Sequence, residues 1–159
     1  MADMLVDLMD LESPYELEGK LLSEGIQFKK CLAPDRSKVM RFAAKFSEEW
    51  ADEVNAAFSN MPVSCYIAVK NKEIIGFACY EATTKNFFGP TGVDGNFRRK
   101  GIGKVLLLKS LISLREMGYA YAFIGWPSDD AIHFYTEAVN GILIENKRNG
   151  IYRNMVKVD

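Results

Sequence analysis

Hydrophobic and polar positions change period several times along this chain, and each change marks an element. Ser13-Pro14-Tyr15-Glu16 sets a capping serine before a proline at a first helical position, with a glutamate placed to complete a capping box. Leu17, Leu21 and Leu22 follow at helical spacing and Gly25 supplies the stop. Ile26-Gln27-Phe28 then alternate like a half-buried strand that ends before Pro34. Two short helices come next, one presenting Val39, Phe42, Ala43 and Phe46, the other capped by Ser47 and presenting Trp50, Val54, Ala57 and Phe58. Residues 63–69 and 74–80 read as strands joined at Asn71-Lys72, a tight hairpin, and 87–93 as a third strand interrupted by Gly89, Pro90 and Gly92. Such an interruption signals a bulge, an edge, or a close approach to the backbone.

Residues 102–117 form a long helix that is apolar around most of its circumference, with Lys109, Ser113 and Glu116 as one narrow polar stripe. Gly118 ends it, and 119–125 is a strand, so strand, helix and strand follow in the order of a parallel crossover. A helix over 129–139 and strands over 142–145 and 151–158, around the turn-rich run 146–150, complete the chain. The predicted order is β-αα-β-β-β-α-β-α-β-β. It describes an α+β domain with a mixed, mainly antiparallel sheet, helices on both faces and one central parallel β-α-β crossover.

Composition narrows the reading. At 159 residues, 48% hydrophobic and 26% charged, the chain suits one globular domain over 26–159, preceded by an acidic helical arm over 1–25. That arm carries Asp3, Asp7, Asp10, Glu12, Glu16, Glu18 and Glu24 against Lys20 alone. Lysine and arginine total 20 and aspartate and glutamate 21, so no global positive field exists to gather nucleic acid. No apolar run is long enough for a bilayer span, and the acidic start does not resemble a secretory leader, so a cytoplasmic protein away from membranes is expected. Cys31, Cys65 and Cys79 are widely spaced and odd in number, which reads as small buried apolar residues; with His133 as the single histidine, no metal site is expected.

The chemistry concentrates in the turn from the third hairpin strand into the long helix, Val93-Asp94-Gly95-Asn96-Phe97-Arg98-Arg99-Lys100-Gly101-Ile102-Gly103-Lys104. A helix N-terminus offers unpaired N–H groups and a positive dipole end, and glycines at 101 and 103 let an oxygen-rich group come close. Arg98, Arg99, Lys100 and Lys104 add charge that would oppose the dipole by ~0.5 kcal/mol without an anion to balance it. A Walker A loop would need glycine at Arg98 and serine or threonine at Val105, and a dinucleotide fingerprint would need a small residue at Leu106. Neither fits.

What remains, Arg98-x-x-Gly101-x-Gly103 between a glycine-interrupted strand and a helix, with a later strand and a helix carrying Phe134-Tyr135, resembles the GNAT superfamily of acetyl-CoA-dependent N-acyltransferases. The resemblance extends over about residues 26–158. It implies acetyl-CoA (coenzyme A) as cofactor, with its pyrophosphate in the loop formed by Arg98, Arg99, Lys100, Gly101, Ile102, Gly103 and Lys104. It further implies that the Val93 N–H faces the thioester carbonyl, that Gly92 marks the bulge parting the neighbouring strands, and that Tyr135 sits near the sulfur, stabilising the leaving thiolate by a hydrogen bond or by proton donation. Ser128 stands where many members place an asparagine that touches the cofactor arm, and Gly95 where a proline is usual.

The acceptor implied is an amine, on a small molecule or on a protein or peptide. Its ammonium, with a pKa near ~10, must lose a proton before attack. No carboxylate lies on 87–93, so Glu81 at the end of the preceding strand is the candidate base, and Trp50, Tyr80, Phe87, Phe88, Trp126 and Tyr152 are candidate walls. His133 is assigned to the surface. A domain that binds acyl-CoA without turning it over, as a sensor or partner module, is the alternative. Monomer and homodimer are both compatible with the sequence.

Overall fold

The computed structural model describes residues 2–145 and 150–157. In chain order its elements are β1 (Met4–Asp7), α1 (Tyr15–Ser23), β2 (Gln27–Lys30), α2 (Arg36–Ala44), α3 (Glu48–Ala57), β3 (Cys65–Lys70), β4 (Glu73–Tyr80), β5 (Phe87–Val93), α4 (Ile102–Glu116), β6 (Tyr121–Ile124), α5 (Asp129–Val139) and β7 (Ile142–Leu143). Short 3₁₀ turns cover Ala33–Asp35, Gly95–Phe97 and Ile151–Asn154.

The strands form one sheet in the order β2-β3-β4-β5-β6-β1-β7, antiparallel at every pair but β5–β6. Asn71 and Lys72, at φ 50° and 64°, make the predicted β3–β4 turn, whose left-handed residues match the strand twist. The predicted crossover is β5-α4-β6. Its α4 buries residues on almost every side because it lies across the sheet and is itself overlaid by α1. Even the predicted polar stripe is largely used internally: Ser113 shares a hydrogen bond with the Tyr66 hydroxyl (2.8 Å) and Lys109 pairs with Glu18 (3.1 Å).

Two cores flank the sheet. Leu21 of α1, the inner face of α4 and Tyr135 and Val139 of α5 pack with Tyr80, Phe88 and Ile124 on one side. Val39, Phe42 and Ala43 of α2 and Val54 and Ala57 of α3 pack with Phe77 on the other. All three cysteines are buried in this second core, side by side at the end of β2 and on β3 and β4. The contact with Cys65 and then burial raise the thiol pKa of Cys31, and, against the opposing contact with Cys31, the contact with Cys79 and burial raise that of Cys65.

Two expectations fail. Residues 4–7, read from the sequence as part of a helical arm, form a strand inside the sheet, between β6 and β7. Met4, Val6 and Leu8 alternate inward and are fully buried, so hydrophobic burial outweighs the acidic character of the segment. The final strand expected over 151–158 is instead a 3₁₀ turn at Ile151–Asn154 with no strand through residue 157. β1 already occupies the place beside β6, and β7 pairs with β1. Residues 146–149 of the predicted turn, and Val158, lie outside the described residues.

Because Met4 is fully buried between sheet neighbours, Met4→Ala is expected to cost about 2–5 kcal/mol in urea unfolding. A loose arm would give a change within about 0.5 kcal/mol.

Candidate functional site

β5 and β6 pair only at Phe87–Phe123 and Phe88–Ile124, and their ladder ends there. On its other edge β5 carries a bulge: Tyr80 pairs with Phe88 but Ala78 with Thr91, so Gly89 and Pro90 together oppose Cys79. The bulge expected at Gly92 therefore sits at Gly89-Pro90, where glycine supplies a φ of 116° that other residues avoid. Beyond it β5 and β6 no longer pair, and the unpaired gap between them is termed the slot.

The Asp94 N–H donates to Ile75 O on β4 (2.8 Å), and successive strand amides point to opposite edges. The Val93 N–H accordingly points away from β4, into the slot, while the Val93 carbonyl accepts from Arg98 Nε (3.3 Å). Asp94 folds the chain over by accepting from the Asn96 N–H (2.9 Å), and Arg99 (φ 63°) and Gly101 (φ 94°) reverse it into α4. From Arg98 to Lys104 no backbone N–H has an acceptor among the described residues; the first helical bond is Val105 N–H to Gly101 O. The loop thus presents a run of amides at the positive end of α4, with Arg98, Arg99 and Lys100 exposed around it. Lys104 is turned aside to Glu12 (2.5 Å). Gly101 packs against Leu17, whereas a Cβ on Gly103 would meet only Phe134 and Val93, each at an ordinary 3.8 Å.

Tyr135 hangs from α5 on the α4 face of the slot, edge-on to Phe88 (6.1 Å between ring centres) and beside Phe134 (5.2 Å). Its hydroxyl has no hydrogen-bond partner among the described residues, and burial alone raises its pKa, so it stays a neutral acid. Ser128 caps α5, its Oγ accepting from the Ala131 N–H (3.3 Å). His133 is exposed on the outer side of the helix.

Glu81 is not brought to Val93. It follows Tyr80, which pairs with the start of β5, while Val93 at the other end pairs with Gly76; five residues of strand span about 17 Å. Both its carboxylate oxygens are engaged, one by the Asn86 N–H and one by the Tyr119 hydroxyl (2.7 Å), closing the β4–β5 loop. The carboxylate in turn raises the pKa of Tyr119. Beside it lies a cleft of about 330 Å³ shared with Lys30, Asn60, Ser64 and Tyr80. The geometry makes Glu81 a loop anchor.

The opposite mouth of the slot, on the α2/α3 face, holds what the sequence reading missed. Glu53 Oε1 accepts from Thr83 Oγ1 (2.6 Å) and from the Tyr152 hydroxyl (2.6 Å). Tyr152 lies on Gly125 just past β6, where a Cβ would come within 2.8 Å of its ring, and tilts against Trp126 (5.7 Å). Asp3 ties this corner together by accepting from the N–H groups of Trp126 (3.2 Å) and Ile151 (2.8 Å). On the β5 side Gly92 makes room for Phe46, which stacks on Trp50 (5.5 Å). Of the six expected wall aromatics, Trp50, Trp126 and Tyr152 meet here, Phe87 stacks on Phe123 on the same face (5.5 Å), and Tyr80 and Phe88 belong to the opposite core. Glu53 lies three residues after Trp50 and therefore on its side of α3, which is the one local signal that pointed to it.

A family model described as "Acetyltransferase (GNAT) family" matches residues 31–141. No curated protein matches the chain. Among solved structures, a GCN5-related glucosamine N-acetyltransferase region of a fungal multi-domain GH3 β-N-acetylglucosaminidase superposes with a TM-score of 0.70 at 15% identity, covering 90% of this chain and 19% of that one. An aminoglycoside acetyltransferase from an uncultured soil metagenomic sample, in complex with sisomicin, gives 0.54 at 18% identity, covering 74% and 89%. A GNAT family acetyltransferase from Brucella melitensis, in complex with acetyl-CoA, gives 0.53 at 17%, covering 69% and 80%. At these identities the likeness is one of fold.

If Glu81 anchors the loop, Glu81→Gln lowers stability by about 1–2 kcal/mol in chemical unfolding, since one oxygen can still accept. Its effect on any turnover stays within about threefold; a loss of about 100-fold would restore Glu81 as a proton acceptor.

Proposed function

The chain belongs to the GNAT acetyltransferase family, and we propose that it moves an acetyl or other short acyl group from acetyl-CoA directly to a primary amine, in a ternary complex and without an enzyme-bound acyl intermediate. Acetyl-CoA is the acyl donor of this family. The observation that carries the reading is the unbroken run of unpaired N–H groups from Arg98 to Lys104 at one mouth of the β5–β6 slot. Unpaired amides at a helix start suit a diphosphate, and Gly103, with no side chain to fill the approach, leaves room for it.

In this reading the amides of Gly101, Ile102 and Gly103 hold the diphosphate with Arg98, Arg99 and Lys100, and Lys104 contributes by exchanging Glu12 for phosphate. The edge of β5 turned into the slot offers hydrogen bonds to the extended arm, as to an added strand. The Val93 N–H supports the carbonyl oxygen as negative charge grows on it. Ser128, already accepting from Ala131, has its own hydroxyl proton to donate to the arm.

Starting from an ammonium, the acceptor nitrogen loses one proton before attack and a second as the new C–N bond becomes an amide. The C–S bond breaks, the sulfur takes one proton, and the net release is one proton to solvent. Tyr135 is suited to supply the proton at sulfur, because its raised pKa keeps the phenol protonated throughout the neutral range. The three cysteines are buried in the other core with raised pKa values for Cys31 and Cys65, which argues against an acyl-cysteine.

Gly103→Glu tests the loop: the side chain has space, favours the helix start, and puts a negative charge where the diphosphate binds. Coenzyme A affinity by calorimetry is expected to fall at least about 100-fold, and unchanged affinity would remove the loop from the site. Tyr135→Phe is expected to lower kcat about 100-fold in a thiol-release assay over an amine panel, with acetyl-CoA affinity within about twofold. Tight binding of acetyl-CoA with no turnover of any amine by the unaltered protein would favour the binding-only alternative.

A further inference from the structure

Glu53 has one carboxylate oxygen fixed and the other free. Oε1 receives two donors, Thr83 and Tyr152, while Oε2 has no hydrogen-bond or ion-pair partner among the described residues. Two hydroxyls on one oxygen hold the carboxylate plane and leave the second oxygen's lone pairs for something else. The group is half-buried at the slot mouth opposite the amide loop, between Gly92 with its Phe46–Trp50 stack and Gly125 with its Tyr152–Trp126 pair. Among the described residues a second carboxylate, Asp3, bears on this corner.

Resting on the acyl-transfer reading above, we propose that Glu53 is the acceptor-binding residue: its free Oε2 receives the ammonium of a primary amine carried on an uncharged apolar or aromatic body. It then takes one proton from that nitrogen before attack and later releases it to solvent. Aromatic faces beside a carboxylate suit an ammonium, which gains from both. One carboxylate with two hydroxyls offers too few oxygens for Ca²⁺ and not the octahedral shell of Mg²⁺. With two acidic residues at the mouth and no cation paired to either among the described residues, an acceptor bearing its own carboxylate next to the amine is disfavoured.

The position follows from topology. Glu53 is held by Thr83 of the β4–β5 loop and by Tyr152 over Gly125, and Tyr135 lies against Phe88, so the two groups stand beside the last β5–β6 pair on opposite faces of the sheet. Acid and base functions then sit on opposite sides of the sheet, with Tyr135 neutral through burial on one and Glu53 on the other.

The test uses the full chain, phenethylamine and its α-carboxylated counterpart phenylalanine as acceptors, and three readouts: acetyl-CoA affinity, amine KM and kcat. Glu53→Gln is expected to keep acetyl-CoA affinity within about twofold while raising the phenethylamine KM about 10- to 100-fold and lowering kcat. Tyr152→Phe, which frees Oε1 from one donor, raises KM about threefold with acetyl-CoA affinity unchanged. The unaltered protein is expected to favour phenethylamine over phenylalanine by at least about 10-fold in kcat/KM. An active protein whose Glu53→Gln variant keeps wild-type KM and kcat, or which prefers phenylalanine, overturns the assignment. If the unaltered protein binds acetyl-CoA but turns over neither amine, acyl transfer to them fails. Calorimetry of phenethylamine binding in the presence of coenzyme A then decides Glu53 separately: binding lost in Glu53→Gln supports it, and equal or absent binding in both proteins refutes it.

Discussion

A parallel ladder that stops after two residue pairs governs the rest of this molecule. Phe87–Phe123 and Phe88–Ile124 bind β5 to β6, and the Gly89-Pro90 bulge then bends β5 off its course. The amides on the freed edge of β5 have no strand to pair with, and buried or half-buried amides need partners. The unpaired passage between the strands is flanked by two separately packed cores. Glycine at 92 and 125 keeps the two strand margins thin enough for Phe46 and Tyr152 to close around the passage.

Burial and charge divide the work across the sheet. On the α4 face Tyr135 is driven toward its neutral form by desolvation alone, with no carboxylate beside it. On the other face Glu53 has two hydroxyl donors that fix one of its carboxylate oxygens. The acidic α1 region is part of this arrangement: Glu12 and Glu18 occupy Lys104 and Lys109 of α4, and Leu17 covers Gly101. The loop's charge is therefore moderated by its own chain, and a phosphate competes with Glu12 for one lysine.

The legible features were local ones. The Asn71-Lys72 turn, the apolar surround of α4 and the Arg98-x-x-Gly101-x-Gly103 turn each announce themselves within a few residues, because turn chemistry and helical periodicity are short-range. β1 went unread although Met4, Val6 and Leu8 alternate, since four residues amid acidic neighbours give a weak signal and the partners lie at Ile124 and Leu143. The residues after Gly150 turn instead over Gly125, with the Ile151 N–H held by Asp3 and Tyr152 against Trp126. Glu81 looked suitable by sequence order, but strand direction carries it to the far end of β5. Glu53 draws its meaning from Thr83 and Tyr152, which are distant in the chain and converge only when the sheet is complete.

The placement of β1 also bears on the order in which the molecule assembles. β1 emerges from the ribosome long before β6 and β7, yet it lies between them, and its Asp3 fastens the backbone at Trp126 and Ile151. A nascent chain can form the β3–β4 hairpin early, but β1 must wait until β6 and β7 have been made, with Met4, Val6 and Leu8 exposed meanwhile to whatever binds apolar peptides. The corner bearing Tyr152 and Trp126 is thus complete only once the chain's beginning has returned to meet it.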